Sequence, residues 1–515
     1  MTENLLYLFE NDFLALFPEI FLLNAIIILL FFGVLKTSHI KVPPLVENIS
    51  WLGLFSIFLT LCLVSHNPIH QSILFYNTLI LDDFTYFFKI ILLSSSFAAI
   101  LLSIDYMKEE RFNAFEYVLF LLFSTLSMLL MISSYDFISM YLTVEFQSLC
   151  FYVLAASKRN SEFSTEAGLK YFILGAFSSG ILLFGFSIIY GFTGVTNFGE
   201  LAILFTGLGE TSGMTWATPL QTSQFSNGII LGILFVAVGF LFKLTAAPFH
   251  MWAPDVYEGS PTAITAFFSI TPKIAILAVF IRLFLYSFYD LIFPWQKIIL
   301  LCSVASMIVG ALAAISQHKI KRLLAYSSIG HIGYMLLGFS CATIEGIEAL
   351  FIYLIVYIIM TINIFAIILS LQGRSPESSG ESSSTRIKYL ADLGMLAKTN
   401  PILAFTLTCT MFSMAGIPPL AGFCSKFYIF FAALGSSLYF FAFLGVFTSV
   451  ISCFYYIRFI KIMYFEKPST WLIYKPMDKA KSILLGMTLF FMIFFFCYPS
   501  PLFFMAHKVA LSLSL

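Results

Sequence analysis

The sequence predicts an all-α polytopic membrane protein with about fourteen transmembrane helices, ten of them in two inverted repeats of five. Three observations predict this fold class: the composition, the number of long apolar runs, and two runs that proline interrupts at matching positions. Hydrophobic residues make up 60% of the 515 residues and charged residues 10%, whereas soluble domains carry about 25% charged residues. Because so few charges cannot cover a soluble body, most of the surface is expected to face lipid.

Net charge and cysteine spacing exclude several classes of function. The formal net charge is zero, which argues against nucleic acid as a partner. No two of the eight cysteines are closer than 15 residues, so they form no Cys-x-x-Cys pair, iron–sulfur motif or disulfide framework. We therefore interpret the cysteines as small apolar residues and expect neither a redox centre nor a metal site in this chain.

Long apolar runs predict fourteen spans, because a helix needs about 20 apolar residues to cross a bilayer. Their approximate limits are 13–35, 45–65, 80–104, 114–132, 135–156, 167–191, 227–250, 261–289, 295–316, 321–341, 345–371, 400–434, 436–464 and 480–505. When loops and span ends are assigned alternately to the two sides, one side holds 20 Lys and Arg residues and the other holds 2. This excess predicts that the basic side is the cytoplasm or the mitochondrial matrix.

Two longer stretches separate the spans. Residues 192–226 contain no Lys or Arg and belong to the side opposite the basic loops. Residues 372–399 belong to the basic side and include a serine-rich run at 375–385, for which we expect a mobile surface loop. A short amphipathic helix is predicted after this run, at about 389–398.

Proline interrupts spans seven and twelve. Pro248 follows Lys243 in span seven, and the pair Pro418-Pro419 precedes Lys426 in span twelve. Proline removes a helical hydrogen bond, and bare backbone at membrane depth is tolerated only where protein or water satisfies it. Because the two spans are five apart, they run in opposite directions, as inverted repeats do. The predicted domains are residues 1–112 with helices 1–3, 113–290 with helices 4–8, 291–466 with helices 9–13, and 467–515 with helix 14.

Ionisable residues inside the spans are the candidates for function. A charge at the bilayer centre costs at least ~2.5–3.5 kcal/mol on insertion scales, so such residues persist when they pair or line a wet path. Lys89 is expected to snorkel to the near surface, and Arg282 to snorkel or to form a structural pair. The deeper residues are Glu145, Lys243, Lys273, His331 and Lys426.

These deeper residues have the chemistry of a proton relay. Burial disfavours the charged form of a lysine and a nearby carboxylate favours it again, so a charge movement at Glu145 would change the protonation of a neighbouring lysine. Water has to join the sites, because packed helices lie about 8–10 Å apart. The alternative is a set of structural ion pairs, although one glutamate cannot neutralise three lysines.

Four stretches resemble the antiporter-like membrane subunits of respiratory complex I, NADH:ubiquinone oxidoreductase, in its plant and algal mitochondrial form. They are residues 166–180, 248–261, 322–331 and 415–427. The runs Pro-Phe-His-Met-Trp and Gly-Ile-Pro-Pro-Leu-Ala-Gly-Phe are specific to the wider proton-pumping and antiporter-like family, and the resemblance extends over nearly the whole chain.

The resemblance implies a core membrane-arm subunit that translocates protons while electrons pass from NADH to ubiquinone in other subunits. The residues it assigns to the relay are Glu145, Lys243, Lys273, Lys426, His331 and His250. NADH, FMN, iron–sulfur clusters and ubiquinone are expected to bind other subunits. The expected partners are other membrane-arm and accessory subunits, membrane lipids and protons.

The resemblance also predicts a location in the mitochondrial inner membrane. The basic loops would then face the matrix, and both termini would face the intermembrane space. The first span is preceded by acidic residues without Lys or Arg, unlike a signal or transit peptide. Two other functions remain open at this point: a stand-alone cation/proton antiporter, and a structural membrane scaffold whose charges form ion pairs.

Overall fold

The first six predicted spans are long helices in the structure. The structure is a computed structural model that describes residues 11–37, 42–69, 71–110, 114–209, 219–374, 384–467, 471–473 and 477–514. The first helices are α1 Phe17–Thr37, α2 Val42–Ser65, α3 Asp83–Glu109, α4 Glu116–Ser133, α5 Phe137–Ala155 and α6 Glu162–Thr193. Strands β1 Ser72–Leu74 and β2 Leu79–Leu81 form a hairpin between α2 and α3.

The middle of the chain forms spans seven to eleven. A helix that the sequence did not predict, α7 Phe198–Gly209, precedes span seven, which consists of α8 Pro219–Lys243 and α9 Trp252–Gly259. Span eight is α10 Thr262–Arg282, continued by a π-helix, Leu283–Ser287. Spans nine to eleven are α11 Ile292–Ile315, α12 Ile320–Ser340 and α13 Ile344–Ser370.

The last part of the chain differs from the prediction in two places. Its helices are α14 Leu396–Thr399, α15 Pro401–Ala415, α16 Ala421–Gly435, α17 Tyr439–Phe465, α18 Lys479–Phe494 and α19 Ser500–Ser514. The single helix predicted at 389–398 is instead a 3-10 turn, Leu390–Leu393, followed by α14. Span fourteen is two helices rather than one, because Pro499 cannot continue α18 and disfavours helical backbone in the residue before it.

A small sheet forms on the side of the basic loops. Strand β3 Gln372–Arg374 pairs antiparallel with β4 Ser384–Arg386 and with β5 Trp471–Ile473. Most of the predicted serine-rich loop, residues 375–383, lies outside the described residues. Its last two residues, Ser384 and Thr385, belong to β4, because their backbone groups pair with β3.

The helices confirm the polytopic all-α fold. Within the described residues, 10 helices are long and apolar enough to cross a membrane. Three shorter apolar helices are halves of the interrupted spans, one from span seven and two from span twelve: Asn227–Lys243, Pro401–Ala415 and Ala421–Gly435. The interruptions therefore shorten spans seven and twelve, as the prolines predicted.

Corresponding helices of the two repeats pack in the same way. Helix α4 packs on α5 and α10, as α11 packs on α12 and α17. Helix α6 packs on α8, as α13 packs on α15 and α16. The central helices α10 and α13 are the most enclosed, with 100% and 89% of their most apolar 18 residues buried. Helix α3, from outside the repeats, packs on both.

Candidate functional site

Span seven breaks directly after Lys243, the last residue of α8. The chain turns between α8 and α9, with a positive φ of 66° at Thr245 and a cis peptide bond before Pro248. The last carbonyl groups of a helix lack helical partners, and the helix dipole favours a cation beside them. The Lys243 Nζ is buried at this end and has no hydrogen-bond partner among the described residues, so it is placed to bind water.

Span twelve breaks before its lysine rather than after it. Gly416, with a φ of 85°, ends α15, and the peptide bond between Pro418 and Pro419 is cis. Lys426 lies in α16, but its Nζ donates to the backbone oxygens of Met414 and Ala415, at 2.9 and 3.0 Å. Both broken spans therefore place a lysine at the C-terminal end of their first half-helix.

Gly422 allows the two halves of span twelve to approach closely. Its backbone N donates to the Ser413 Oγ at 3.0 Å. A Cβ atom at Gly422 would lie 1.8 Å from the Ser413 carbonyl oxygen, far inside van der Waals contact. Glycine at this position therefore fixes how α16 crosses the end of α15.

Glu145 lies on α5, beside the break in span seven. Its side chain is half-buried; Oε2 accepts a long hydrogen bond from Ser148, at 3.4 Å, and Oε1 has no partner among the described residues. The carboxylate acts electrostatically on Lys243 without a hydrogen bond to it. The two charges therefore interact across a gap rather than as a contact ion pair.

Lys273 is buried at the centre of α10 and faces the second repeat. Its Nζ donates to the Tyr357 hydroxyl at 2.8 Å, and that hydroxyl donates to the Ser269 carbonyl oxygen at 3.3 Å. A cavity of about 20 Å³ is lined by Lys243, Lys273 and Ser148. A water molecule needs about 10–15 Å³ of such volume, so this cavity has room for water between the two lysines.

His331 bridges two tyrosines inside the second repeat. Its Nδ1 lies 2.7 Å from the Tyr353 hydroxyl and its Nε2 3.1 Å from the Tyr456 hydroxyl. A neutral imidazole donates through one nitrogen and accepts through the other. His331 can therefore take a proton on one side of the ring and give one up on the other.

Two smaller cavities continue from Lys273 to Lys426. One, of about 10 Å³, is lined by Tyr257, Tyr357 and Ser327, and the other, also about 10 Å³, by Ser327, His331 and Lys426. Tyr257 also borders the first cavity, and Ser327 borders both of the smaller ones. Polar side chains and water-sized spaces thus form one row from Ser148 to Lys426.

The structure brings most of the predicted relay residues into this row and leaves one beside it. Lys243, Lys273, His331 and Lys426 line the cavities, and Glu145 reaches them through Ser148. His250 lies in the break of span seven, half-buried, and its buried Nδ1 has no partner among the described residues. It lines none of the three cavities.

Sequence reasoning missed the tyrosines that connect the lysines and the histidine. Tyr353 and Tyr357 are one helical turn apart in α13, so both face α10 and α12. Two tyrosines at this spacing in the middle of a mostly apolar span were the signal that could have found them. Tyr456 had no comparable signal, because it is one of many aromatic residues in α17.

The prediction for Lys89 was wrong, and one of the two alternatives for Arg282 was right. Lys89 does not snorkel: it is 3% exposed and forms a buried ion pair with Glu19, at 2.6 Å. Arg282 pairs with Asp82, also at 2.6 Å. The two acidic partners lie at helix starts: Glu19 in the first turn of α1 and Asp82 directly before α3. They could be identified as partners only once the packing of α1, α3 and α10 was known.

Ion pairs fix the second half of span seven between the two repeats. Asp255 on α9 pairs with Lys170 of α6 at 3.0 Å and with Arg322 of α12 at 3.2 Å. Arg322 also contacts Glu258 at 3.3 Å. Half-exposed pairs of this kind add little stability one by one, but a network of them orients α9.

Comparisons with known proteins confirm the resemblance. The family model described as NADH:quinone oxidoreductase/Mrp antiporter, TM, matches residues 134–452. The NADH-ubiquinone oxidoreductase chain 2 of Marchantia polymorpha is 63% identical over 511 residues, which cover 99% of this chain and 100% of the relative. A chain of the respiratory complex I structure from Thermus thermophilus has a TM-score of 0.74 at 26% identity, covering 94% of this chain and 98% of that one. A chain of the Mrp complex from Dietzia has a TM-score of 0.78 at 20% identity, covering 98% and 97%, and shows a shared fold.

Proposed function

Because the chain belongs to the NADH:quinone oxidoreductase/Mrp antiporter family of membrane subunits, we propose that it moves protons along a relay of buried side chains. It is a membrane-arm subunit of complex I, the proton-pumping NADH:ubiquinone oxidoreductase. The proposed relay consists of Glu145, Lys243, Lys273, His331 and Lys426, with His250 at its side.

The continuity of the cavities is the observation that carries the proposal. Lys243 and Lys273 share one cavity, and His331 and Lys426 share another. Tyr357, whose hydroxyl accepts from Lys273, lines the cavity between them. A structural scaffold would need its charges paired and dry, whereas Lys243 has no hydrogen-bond partner among the described residues and lines a space large enough for water.

In the proposed relay, protons move in steps through the three cavities. A proton on Lys243 passes through cavity water to Lys273, and the Tyr357 hydroxyl then accepts it while giving its own proton to water in the next cavity. His331 passes a proton through its ring, and Lys426 receives it beside the helix end formed by Met414 and Ala415. A charge movement at Glu145 changes the proton affinity of Lys243 and so starts or stops the sequence.

The same proposal assigns the remaining parts of the reaction to other chains. NADH, FMN, iron–sulfur clusters and ubiquinone would bind other subunits, so electron transfer would drive this subunit from a distance. Its partners would be membrane-arm and accessory subunits, lipids and protons. The basic loops would face the matrix, and the termini the intermembrane space of the mitochondrial inner membrane.

Two substitutions of Lys273 test the relay. Lys273→Ala should keep the helix, because alanine favours helix, and Lys273→Arg keeps a positive charge that does not release its proton. Both should lower the number of protons pumped per NADH oxidised in vesicles containing the assembled complex. Lys388→Ala, in an exposed loop, serves as the control and should leave pumping unchanged.

Normal pumping in both Lys273 variants would show that the lysine is a structural charge. The alternative function, a stand-alone antiporter, is tested with the same chain alone in vesicles. Cation-driven proton flux by the isolated chain would favour that alternative, whereas our proposal expects flux only in the assembled complex.

A further inference from the structure

A second group of buried charges lies outside the repeats. Glu19 of α1 and Lys89 of α3 form an ion pair at 2.6 Å, and each side chain is 4% exposed. Next to them, Asp82 at the start of α3 pairs with Arg282 at the end of α10. None of these residues belongs to the proposed relay. Because burying charges is costly even in pairs, the group calls for a reason beyond packing.

A water-sized cavity connects this ion pair with the loops opposite the basic side. The cavity, of about 20 Å³, is lined by Glu19, Lys89 and Asp82 and, towards the loop after α2, by Asn67 and Ile69. The second carboxylate oxygen of Glu19 is buried and has no partner among the described residues. A water in this cavity would supply that partner and would connect the ion pair to the loop surface.

Phenylalanine rings of α3 contact the two helices that carry the proposed relay. Helix α3 packs on α10, which carries Lys273, and on α13, which carries Tyr357. The Phe84 and Phe88 rings of α3 lie 4.7 Å apart, Phe88 lies 5.4 Å from Phe351 of α13, and the Arg282 guanidinium of α10 lies 4.9 Å from the centre of the Phe84 ring. These contacts place the group of buried charges directly beside the two helices that carry the proposed relay.

We infer that the Glu19–Lys89 pair is a proton-release site on the side opposite the basic loops. This inference rests on the proposed relay. In the release step, the Lys89 ammonium gives a proton to the Glu19 carboxylate, which leaves two neutral groups. Glu19 then gives this proton to cavity water, and Lys89 takes the next proton from the relay.

A purely structural ion pair and a release site differ in what arginine does at residue 89. Lys89→Arg keeps the charge and the pairing with Glu19, but arginine does not give up its proton in the physiological range. A structural pair therefore tolerates the change, and a release site does not. Lys481 offers a matched control, because it is also 4% exposed and pairs with Asp105 at 2.7 Å near the other end of α3.

The experiment compares Lys89→Arg, Lys481→Arg and Lys273→Ala in the assembled complex, reconstituted into vesicles. Proton delivery is expressed per NADH oxidised and is normalised to the amount of assembled complex, so that a lower yield of a variant does not affect the comparison. We expect Lys89→Arg to lose proton delivery, with NADH oxidation in uncoupled vesicles unchanged, and Lys481→Arg to match the unmodified complex. Glu19→Gln, which is nearly isosteric, should cause the same loss.

The possible results separate this inference from the relay itself. If Lys89→Arg and Glu19→Gln pump normally while Lys273→Ala is impaired, the release site is overturned and the relay stands. If all three pump normally, the relay is overturned as well. A loss in Lys481→Arg equal to that in Lys89→Arg would show that any buried ion pair of α3 is needed for structure, and it would also overturn the release site.

Discussion

The Lys273 ammonium and the Tyr357 hydroxyl lie 2.8 Å apart, so a lysine of the first repeat is held by a tyrosine of the second. The ammonium also lies 4.9 Å from the centre of the tyrosine ring, within the range of a cation–π interaction. Since Tyr357 also lines the cavity that leads towards Ser327, our proposal makes its hydroxyl the point at which a proton passes between the repeats.

Tyr357→Phe should interrupt proton transfer between the two repeats. The phenylalanine keeps the ring beneath Lys273 and the packing of α13, but it removes the hydroxyl that carries the proton. We expect fewer protons pumped per NADH in vesicles and a normal amount of assembled complex on native gels. Tyr117→Phe, in a tyrosine that is equally buried at the start of α4, is the control, and wild-type pumping in Tyr357→Phe would mean that protons bypass this hydroxyl.

Glu145 and Lys243 should behave as a coupled pair. Glu145→Gln removes the charge that acts on Lys243, so we expect a loss of pumping similar to that of Lys243→Ala. Because both changes interrupt one step, the double variant should lose no more than the stronger single variant. Glu162→Gln, in an exposed residue at the start of α6, should have no effect. Fully additive losses would contradict the coupling.

Gly422→Ala should lower the stability of the subunit, independently of any effect on proton transfer. The added Cβ would lie 1.8 Å from the Ser413 carbonyl oxygen, so α16 would have to shift away from α15 and Lys426 away from its carbonyl partners. Overpacking typically costs about 1–3 kcal/mol and sometimes more, which should appear as a lower melting temperature and a lower yield of complex. Gly180→Ala, where nothing lies within 4 Å of the new Cβ, should be neutral or stabilising, and equal behaviour of the two variants would refute the crossing contact.

Local sequence signals predicted most of the fold. Apolar length marked the spans, and Pro248 and Pro418 marked the breaks, because proline removes a helical hydrogen bond. Proline alone does not decide, however, since Pro272 lies inside the continuous helix α10. The unpredicted helix α7 is only 12 residues long, and the division of span fourteen lies within a long apolar run that Pro499 interrupts. There, length alone does not decide where a helix begins or ends.

The site could be predicted only in part, because its connections join residues that are distant in the chain. Lys273 stood out as a charge in an apolar span, but its partner Tyr357 is 84 residues away. Glu19 and Lys89 are separated by 70 residues, so neither the pair nor its cavity is visible before α1 packs beside α3. The charged residues could be found from the sequence because a charge inside an apolar span is energetically costly. Their partners could be found only from the packing of the helices.

Assembly with other subunits is expected from the surroundings of Glu145. On α5 this carboxylate lies within a stripe of exposed apolar side chains formed by Ile138, Leu142, Leu149 and Val153. A charge facing lipid at this depth costs several kcal/mol, so another membrane subunit should cover the stripe. We expect the chain to migrate on native gels, after extraction in mild detergent, with a complex many times its own 58.0 kDa.

Leu149→Arg should release the chain from that complex. Phe443→Arg, on an exposed part of α17, tests whether any charge on an apolar face has the same effect. A chain that runs mainly as a monomer or homodimer would refute membership of a larger assembly.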